Sequence, residues 1–255
     1  APRLVSKPTW YFMEGSKSKE FVSLLHIPYT SMVLAYVTIG TALAPTFNLE
    51  LLSLALLAYF LGLGIAAHAA DQLASTGTRY VKQLDRSDLT FMLETSLVLA
   101  VVTGLYAIWR YQLSLWLIPL IALNVFFVFA YPRGDWFGGL FHDDVWFSVS
   151  WGMLPFLTAY FANATTITPH ILLIALVLTL TSGIEITLSR WVRDIRKYTS
   201  VALITIEDLG EQTKKTTDTI YPPTDHIKKP ELALKLLVIS VDLLAVALLV
   251  ARLGA

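Results

Sequence analysis

The amino-acid sequence predicts an all-α fold, a polytopic transmembrane helical bundle of about seven helices. Of the 255 residues, 55% are apolar and 15% are charged, whereas soluble domains carry about 25% charged residues. The mean hydropathy is +0.61. Polar residues are gathered between long apolar runs, which is the arrangement that a bilayer requires.

Seven apolar segments are long enough, or nearly so, to cross the hydrocarbon core, which takes roughly 20 residues. They are 29–43 (extendable to 45), 49–70, 89–109, 113–131, 145–162, 169–189 and 232–253. The first and the fifth are short. These segments divide the chain into an N-terminal segment (1–27), a six-helix bundle (28–190), a loop (191–231) and a seventh helix (232–255).

The N-terminal segment contains a short amphipathic pattern over residues 16–25. Phe21 and Leu24 fall on one side of a helix, and Lys17 and Glu20 fall on the other. This pattern is typical of a helix that lies along the membrane interface.

Lysine and arginine are distributed unevenly around the spans. Four precede the first span, three follow the second, Arg133 follows the fourth, and eight lie between residues 190 and 229. The opposite face carries Arg110 and Arg252. The positive-inside rule therefore predicts an integral protein of the cell membrane, with its N-terminus and three longer loops in the cytoplasm.

Composition also excludes several classes of site and partner. The chain has no cysteine, so it has no disulfide, no thiolate metal site and no cysteine nucleophile. The net charge is zero, so no basic surplus points to a nucleic-acid partner. Membrane lipids are the partners that this composition favours.

A first polar group lies at the end of the second span. His68 and Asp71 are three residues apart and share one helix face. A histidine and a carboxylate so placed bind a divalent cation, relay a proton or simply hydrogen-bond to each other. Gly62 and Ala66 lie just before them, and this small-residue face predicts close approach of a neighbouring helix.

A second polar group lies in the loop before the fifth span. Asp143 or Asp144 is placed to cap that helix, whereas His142 has no such structural role. The predicted topology puts His142 on the same side of the membrane as His68 and Asp71. Six aromatic residues cluster here and form either an interfacial belt or a lipid-tail pocket: Trp136, Phe137, Phe141, Trp146, Phe147 and Trp151.

Ionisable residues within the spans are few, and each is costly in hydrocarbon. Glu94 lies near the start of its helix, Glu185 lies before Arg190, and Asp242 is nearly central in the last helix. Their positions leave a transporter-like or proton-linked protein as one hypothesis, with helix–helix hydrogen bonding favoured for Asp242.

The order of these features resembles the UbiA superfamily of intramembrane prenyltransferases over residues 22–200. The start of the first span, from His26 to Ser31, resembles the family's first helix. The sequence 131–133 (Tyr-Pro-Arg) resembles the Tyr-Pro-x-x-Lys/Arg element, and Trp151-Gly152 with Pro155 resembles the pattern of the fifth helix. The resemblance implies a UbiA-like bundle with an isoprenoid-lipid pocket that opens to the cytoplasmic side.

The aspartate-rich motifs of active members are incomplete in this sequence. His68 and Asp71 stand where the family has Asn-Asp-x-x-Asp, and Ser75 stands where a further acid follows. After the sixth span, 190–197 contains Asp194 among four cations. The His-Ala-Ala-Asp sequence and the stretch from His142 to Phe147 are similar to a divergent, archaeal-type branch of the superfamily.

The resemblance implies roles for nine residues. If the protein is an active, Mg²⁺-dependent polyprenyltransferase, His68, Asp71 and Asp194 are its catalytic residues, with Asp71 and Asp194 as metal ligands. Its substrate-binding residues are then Arg133, Arg190, Arg193, Tyr131, His142 and Trp151, with the arginines clamping phosphate.

Two readings of this resemblance stay open. The first is prenyl transfer from a diphosphate to a small acceptor within the membrane, with Mg²⁺ as the cofactor. The second is a protein that keeps the lipid pocket without the metal chemistry, as an isoprenoid-binding protein or an accessory subunit of a larger membrane complex. The missing carboxylates favour the second reading, because two Mg²⁺ ions on a diphosphate need several of them.

Overall fold

The computed structural model describes residues 9–13, 15–74, 81–198, 202–207, 216–221 and 223–254. These residues form helices joined by short connections, and one antiparallel hairpin. The elements are α1 (Lys17–Leu24), α2 (Ile27–Leu43), α3 (Leu49–Ala74), α4 (Arg86–Tyr111), α5 (Leu117–Ala130), α6 (Asp144–Ala162), α7 (Pro169–Tyr198), β1 (Ala202–Glu207), β2 (Thr216–Tyr221) and α8 (Pro223–Leu253). The predicted all-α membrane bundle is confirmed.

Five of the described helices, α3, α4, α6, α7 and α8, are long and apolar enough to cross a membrane. The pair α1–α2, bent by 45°, makes a sixth span if the two are counted together. The predicted fourth span is helix α5, which has 14 residues. The chain is therefore an integral membrane protein, and the number seven remains a prediction.

Helix α2 lies at the centre of the bundle and packs against α6 and α8. Tyr36 and Val37 on this helix are completely buried. Gly40 allows the close crossing with α6, because a Cβ at this position would overlap the carbonyl oxygen of Phe156. Close approach through a small residue is the usual way for membrane helices to gain packing contacts.

Two spans contain a π-helical stretch. Phe60–Ala67 interrupts α3 directly before His68, and Val149–Met153 interrupts α6 around Trp151. A π-helical turn widens the helix locally, is rare and is frequently found at functional sites. Both stretches lead to the same end of the bundle.

The region 191–231 differs from the predicted loop. Helix α7 continues past the predicted end of the sixth span to Tyr198, and α8 begins at Pro223. Between them, β1 pairs with β2 from Ala202↔Tyr221 to Glu207↔Thr216. Apolar hydropathy marks where a helix crosses hydrocarbon and says little about how far it continues beyond it, so the sequence underestimated both helices.

Helix α1 does not present the two faces that the sequence predicted. Glu20 is buried, with 3% of its surface exposed. Its Oε2 atom accepts hydrogen bonds from the backbone nitrogens of Gln83 (2.6 Å) and Leu84 (3.3 Å). The placement of Glu20 on a polar outer face was wrong, because α1 packs on the segment that leads into α4.

The substitution Glu20→Ala is expected to lower the free energy of unfolding by about 2 kcal/mol, because the backbone N–H groups of Gln83 and of the buried Leu84 lose their acceptor. Thermal unfolding in detergent measures the change. Lys19→Ala, on an exposed position of the same helix, is the control and should leave the unfolding midpoint unchanged. An equal effect of the two substitutions would contradict the prediction.

Candidate functional site

Polar side chains from several helices meet at one end of the bundle, which we call the polar end. It lies where α3 reaches His68 and Asp71, where α6 begins at Asp144, and where α7 carries Arg190 and Arg193. The loop between α5 and α6 covers it, and the α1–α2 junction borders it. The site is therefore assembled from segments distant in sequence.

A stacked pair of histidines forms one side of the polar end. The rings of His26 and His68 are parallel within 8°, with centroids 4.6 Å apart. Nδ1 of His26 lies 2.7 Å from the Tyr11 hydroxyl. Nδ1 of His68 lies 3.0 Å from the carbonyl oxygen of Gly64, so it carries the proton, and Nε2 is the acceptor. Because a neutral His68 offers an acceptor rather than a charge, it suits a hydrogen-bonding role.

His26 was not among the predicted site residues. It lies in the sharp bend between α1 and α2 and has a φ of 43°, in the left-handed region. Non-glycine residues take this conformation infrequently, and histidine is among those enriched there. The signal available in the sequence was a histidine two residues before Pro28, at the start of an apolar span.

Aromatic rings continue from His68 towards the loop. Trp151 lies 5.1 Å from the His68 ring and stacks on Phe147 at 5.2 Å and 11°. Phe147 contacts Tyr131, which in turn contacts His142 at 5.4 Å. The result is a continuous aromatic wall, and Phe147 and Trp151 within it are buried.

The other predicted aromatics pack among themselves outside this wall. Phe141 contacts Phe137 and Trp146 at 5.5 Å and 5.1 Å, and Phe137 is 66% exposed. The aromatic cluster thus divides into a buried pair in the site and a less buried group near the loop.

Arg190 is held by two partners at the polar end. Its Nη2 donates to the Tyr131 hydroxyl at 3.2 Å, and its Nη1 forms an ion pair with Asp144 at 2.8 Å. Nε of Arg190 is buried and makes no hydrogen bond to a described residue. Burial raises the pKa of the Tyr131 phenol above its ordinary value, although Arg190 opposes this shift. Tyr131 is therefore a neutral hydroxyl at physiological pH, able to donate a hydrogen bond.

His142 is exposed, and its Nδ1 donates to the carbonyl oxygen of Tyr131 at 2.5 Å. Asp143 caps helix α6 by accepting from the Trp146 nitrogen at 2.8 Å. Of the two aspartates predicted as caps, Asp143 is the cap, whereas Asp144 forms the ion pair with Arg190. His142 fixes the loop against the end of α5.

Acidic residues are sparse at the polar end. Asp71 accepts from Gln72 at 3.2 Å and interacts electrostatically with Arg190 and Arg193. Asp194 is exposed and pairs with its neighbour Arg193 at 3.4 Å. Among the residues that the structure describes, no group of three or more His, Asp or Glu side chains could hold a metal ion.

The donor set at the polar end therefore does not fit a bound pair of Mg²⁺ ions. Asp71 and Asp194, the predicted metal ligands, are each accompanied by arginine, and a cation beside them opposes a second cation. Hard divalent cations are held by several oxygen ligands, which the described residues do not assemble. The predicted metal ligands remain a hypothesis without support from this arrangement.

The structure brings together most of the predicted substrate-binding residues. Tyr131 contacts both His142 and Arg190, and Trp151 joins this group to His68 through the aromatic wall. Arg193 acts on His26 and Asp71 electrostatically. Arg133 is exposed, and its guanidinium lies 4.7 Å from the Trp136 ring centroid in the outer group of aromatics.

The three ionisable residues within the spans lie apart from the polar end or deeper in the bundle. Glu94 is exposed on α4. Glu185 is buried in α7, with 1% of its surface exposed, and interacts electrostatically with Asp242 of α8. Asp242 interacts with the Ser31 hydroxyl of α2, which matches the helix–helix hydrogen bond predicted for it.

Among solved structures, the chain is similar to the structure of a UbiA homolog from Archaeoglobus fulgidus bound to DMAPP and Mg²⁺. The TM-score is 0.52 at 11% identity, and the match covers 91% of this chain and 84% of that chain. No family model matches the sequence, and no curated protein matches it. At this identity the likeness shows the fold alone, so the predicted UbiA-like fold is confirmed.

Proposed function

We propose that this membrane protein, which has the UbiA-superfamily fold, binds an isoprenoid phosphate at its polar end through arginine side chains. The observation that carries the proposal is the arrangement of Arg190, whose half-buried guanidinium is held at the polar end by Tyr131 and Asp144. A guanidinium presents its N–H donors in a planar fork that matches the geometry of phosphate.

The ligand class is proposed from the similar archaeal structure. The similar archaeal structure contains DMAPP, a diphosphate with an isoprenoid chain. In this chain the aromatic wall of Phe147 and Trp151 offers an apolar surface beside the arginines. The apolar chain of the ligand would thus contact the aromatic wall, and its phosphate would contact the arginines. The neutral hydroxyl of Tyr131 would add a hydrogen bond.

The phosphate would be recognised by protein cations instead of Mg²⁺. Arg190 and Arg193 both interact electrostatically with Asp71, so two guanidinium groups lie near the same part of the polar end. Arg193 is exposed and can turn towards a ligand. Charge-assisted hydrogen bonds from arginine to phosphate are stronger than bonds between neutral groups, which compensates in part for the missing metal.

We further propose that the polar end faces the cytoplasm. This orientation rests on the excess of lysine and arginine in the loops at that end. The ligand would then enter from the cytoplasmic leaflet, with its phosphate near the surface and its chain in the bilayer.

Equilibrium binding of a radiolabelled C15 prenyl diphosphate to the purified protein in nanodiscs tests the proposal. Arg190→Gln is expected to weaken binding about tenfold or more, because a charged hydrogen bond contributes roughly 1.5–3 kcal/mol. Arg110→Gln is the matched control, since Arg110 is exposed in the last turn of α4. Equal affinities for both variants would contradict the proposal.

Mg²⁺-dependent prenyl transfer is the second candidate function, and the observation that favours it is the Mg²⁺ in the similar archaeal structure. Incubation of the protein with the labelled diphosphate, Mg²⁺ and a panel of aromatic and glycerol-type acceptors distinguishes the two. A prenylated product would establish the second candidate. Tight binding with neither product nor released diphosphate supports the first.

A further inference from the structure

A second polar cluster lies deeper in the bundle than the polar end, where α8 packs against α2 and α7. Glu185 of α7 is 1% exposed, and its Oε1 atom is buried without a hydrogen bond to a described residue. Asp242 of α8 interacts with it electrostatically. Tyr36 of α2 is completely buried and interacts with both carboxyl groups. Three helices therefore contribute two acids and a phenol to one cluster.

Among the described residues, no cation neutralises these two acids. Arg190 and Arg193, the cations nearest to Glu185 along α7, act on Tyr131 and Tyr29 instead. Helix α6, which also packs against α7, carries its acid at the polar end, where that acid is paired with Arg190. A carboxylate buried without a partner is costly, so it takes up a proton or a cation. The pair therefore needs a positive charge from outside the cluster.

The hydrogen bonding of Ser31 indicates which acid carries a proton. Its hydroxyl donates to the carbonyl oxygen of Pro28 at 3.0 Å, and a serine hydroxyl has one hydrogen to donate. Asp242 interacts with the same hydroxyl. Since Ser31 can offer Asp242 only an acceptor, a hydrogen bond between them requires Asp242 to be the donor, which means that its carboxyl group is protonated.

Hydroxyl groups connect the cluster to the polar end. The Tyr29 hydroxyl donates to the Ser189 hydroxyl. Ser189 and Glu185 are four residues apart on α7 and therefore share one face of this helix. Tyr29 interacts electrostatically both with Glu185 and with Tyr131 of the polar end. The hydroxyls of Tyr29 and Ser189 thus lie between the polar end and the buried acids.

We infer that Glu185 and Asp242 form a proton-binding site within the membrane. The site is loaded from the polar end through the hydroxyls of Tyr29 and Ser189. A proton from water forms an O–H bond with a carboxylate oxygen of the pair. Each hydroxyl on the route accepts one proton and passes its own on, so neither is consumed. Ionisable residues inside membrane proteins commonly mark such proton relays.

The packing around Glu185 suits a proton better than a metal cation. Tyr36 and Ser182, which are joined by a hydrogen bond of 3.3 Å, are both fully buried. A metal ion needs a space lined by several oxygen ligands, whereas a proton needs no space of its own. Within the described part of the chain, no group of three or more His, Asp or Glu side chains is placed to hold a metal ion.

Infrared spectroscopy of the full chain in nanodiscs tests the inference, because the carbonyl stretch of a protonated carboxyl group is separate from the bands of carboxylates and amides. The native protein should show this band at neutral pH and lose it as the pH rises. Glu185→Gln and Asp242→Asn should each alter the band and the pH at which it disappears. Asp135→Asn removes an exposed carboxylate of the loop before α6 and, as the control, should leave the band unchanged.

The loading route is tested by the rate at which this band shifts after transfer into deuterated buffer. Tyr29→Phe removes the first hydroxyl of the route. Deuteration should then slow about a hundredfold, the lower end of the contribution of a positioned proton-transfer group. Tyr36→Phe removes the other buried tyrosine hydroxyl of α2, about two turns farther from the polar end, and should leave the rate unchanged.

Three results would overturn the inference. They are a native protein without a pH-dependent carboxyl band, an equal effect of Asp135→Asn on the band, and equal deuteration rates for the Tyr29 and Tyr36 variants. Loss of the band on addition of sodium chloride at constant pH, but not of choline chloride, would show a metal-cation site instead. Thermal unfolding of each variant verifies that it is folded, and Asp242→Asn alone decides the matter if Glu185→Gln does not fold.

Discussion

Gly40→Val is expected to prevent the bundle from assembling in its native form. A Cβ at Gly40 would overlap the carbonyl oxygen of Phe156 and lie 3.1 Å from the backbone nitrogen of Tyr160. Backbone atoms of a helix cannot rotate away, so α2 and α6 would have to separate. We expect a loss of about 3 kcal/mol or more, at the upper end of overpacking effects. Size-exclusion profiles and thermal unfolding in detergent measure the change.

Gly62→Ala is the matched control for this prediction. A Cβ at Gly62 would meet the Cβ of Ala100 at 3.6 Å, an ordinary contact. Because alanine favours the helical conformation over glycine, the unfolding midpoint should stay the same or rise slightly. A Gly40→Val protein that elutes and unfolds like the native protein would show that the α2–α6 crossing is not as close as described.

Trp151→Ala is expected to cost about 4 kcal/mol of stability, as is usual when a buried tryptophan is truncated. Trp151 is 6% exposed and contacts His68 and Phe147. Its loss would open a cavity in the aromatic wall and leave the His68 ring without support on one side. We therefore expect a lower thermal midpoint together with weaker binding of the prenyl diphosphate.

Trp116→Ala provides the comparison for Trp151→Ala. Trp116 is 73% exposed, so its removal creates no cavity and should change the midpoint little. Trp151→Phe retains an aromatic ring beside Phe147 and should recover part of the lost stability. If the exposed and the buried tryptophan gave equal losses, the aromatic wall would not be part of the packed core.

The sequence predicted the helices well because hydrophobic runs of membrane length have few alternatives in a bilayer. It predicted the C-terminal end of α7 and the start of α8 poorly. Hydropathy indicates which part of a helix lies in hydrocarbon, but it does not show how far the helical hydrogen bonds continue beyond the membrane. The polar end was predicted in large part, because His68, Tyr131, His142 and Arg190 are polar residues next to apolar runs.

Close tertiary contacts were the least predictable feature. The small-residue pattern pointed to Gly62 and Ala66, yet the tightest approach to a backbone carbonyl is made by Gly40. A glycine that meets a neighbouring backbone looks like any other glycine in a sequence, since the neighbour is distant along the chain. For the same reason His26 and the buried Glu20 could not be assigned before their partners were in place.

The central claim is that arginine side chains, and not Mg²⁺, bind the isoprenoid phosphate. The affinity of the native protein for a labelled prenyl diphosphate, measured in EDTA and again in millimolar Mg²⁺, tests it most directly. We predict saturable binding in EDTA, with an affinity that Mg²⁺ does not increase. Binding that is absent in EDTA and appears with Mg²⁺ would contradict the account and favour a metal-dependent prenyltransferase.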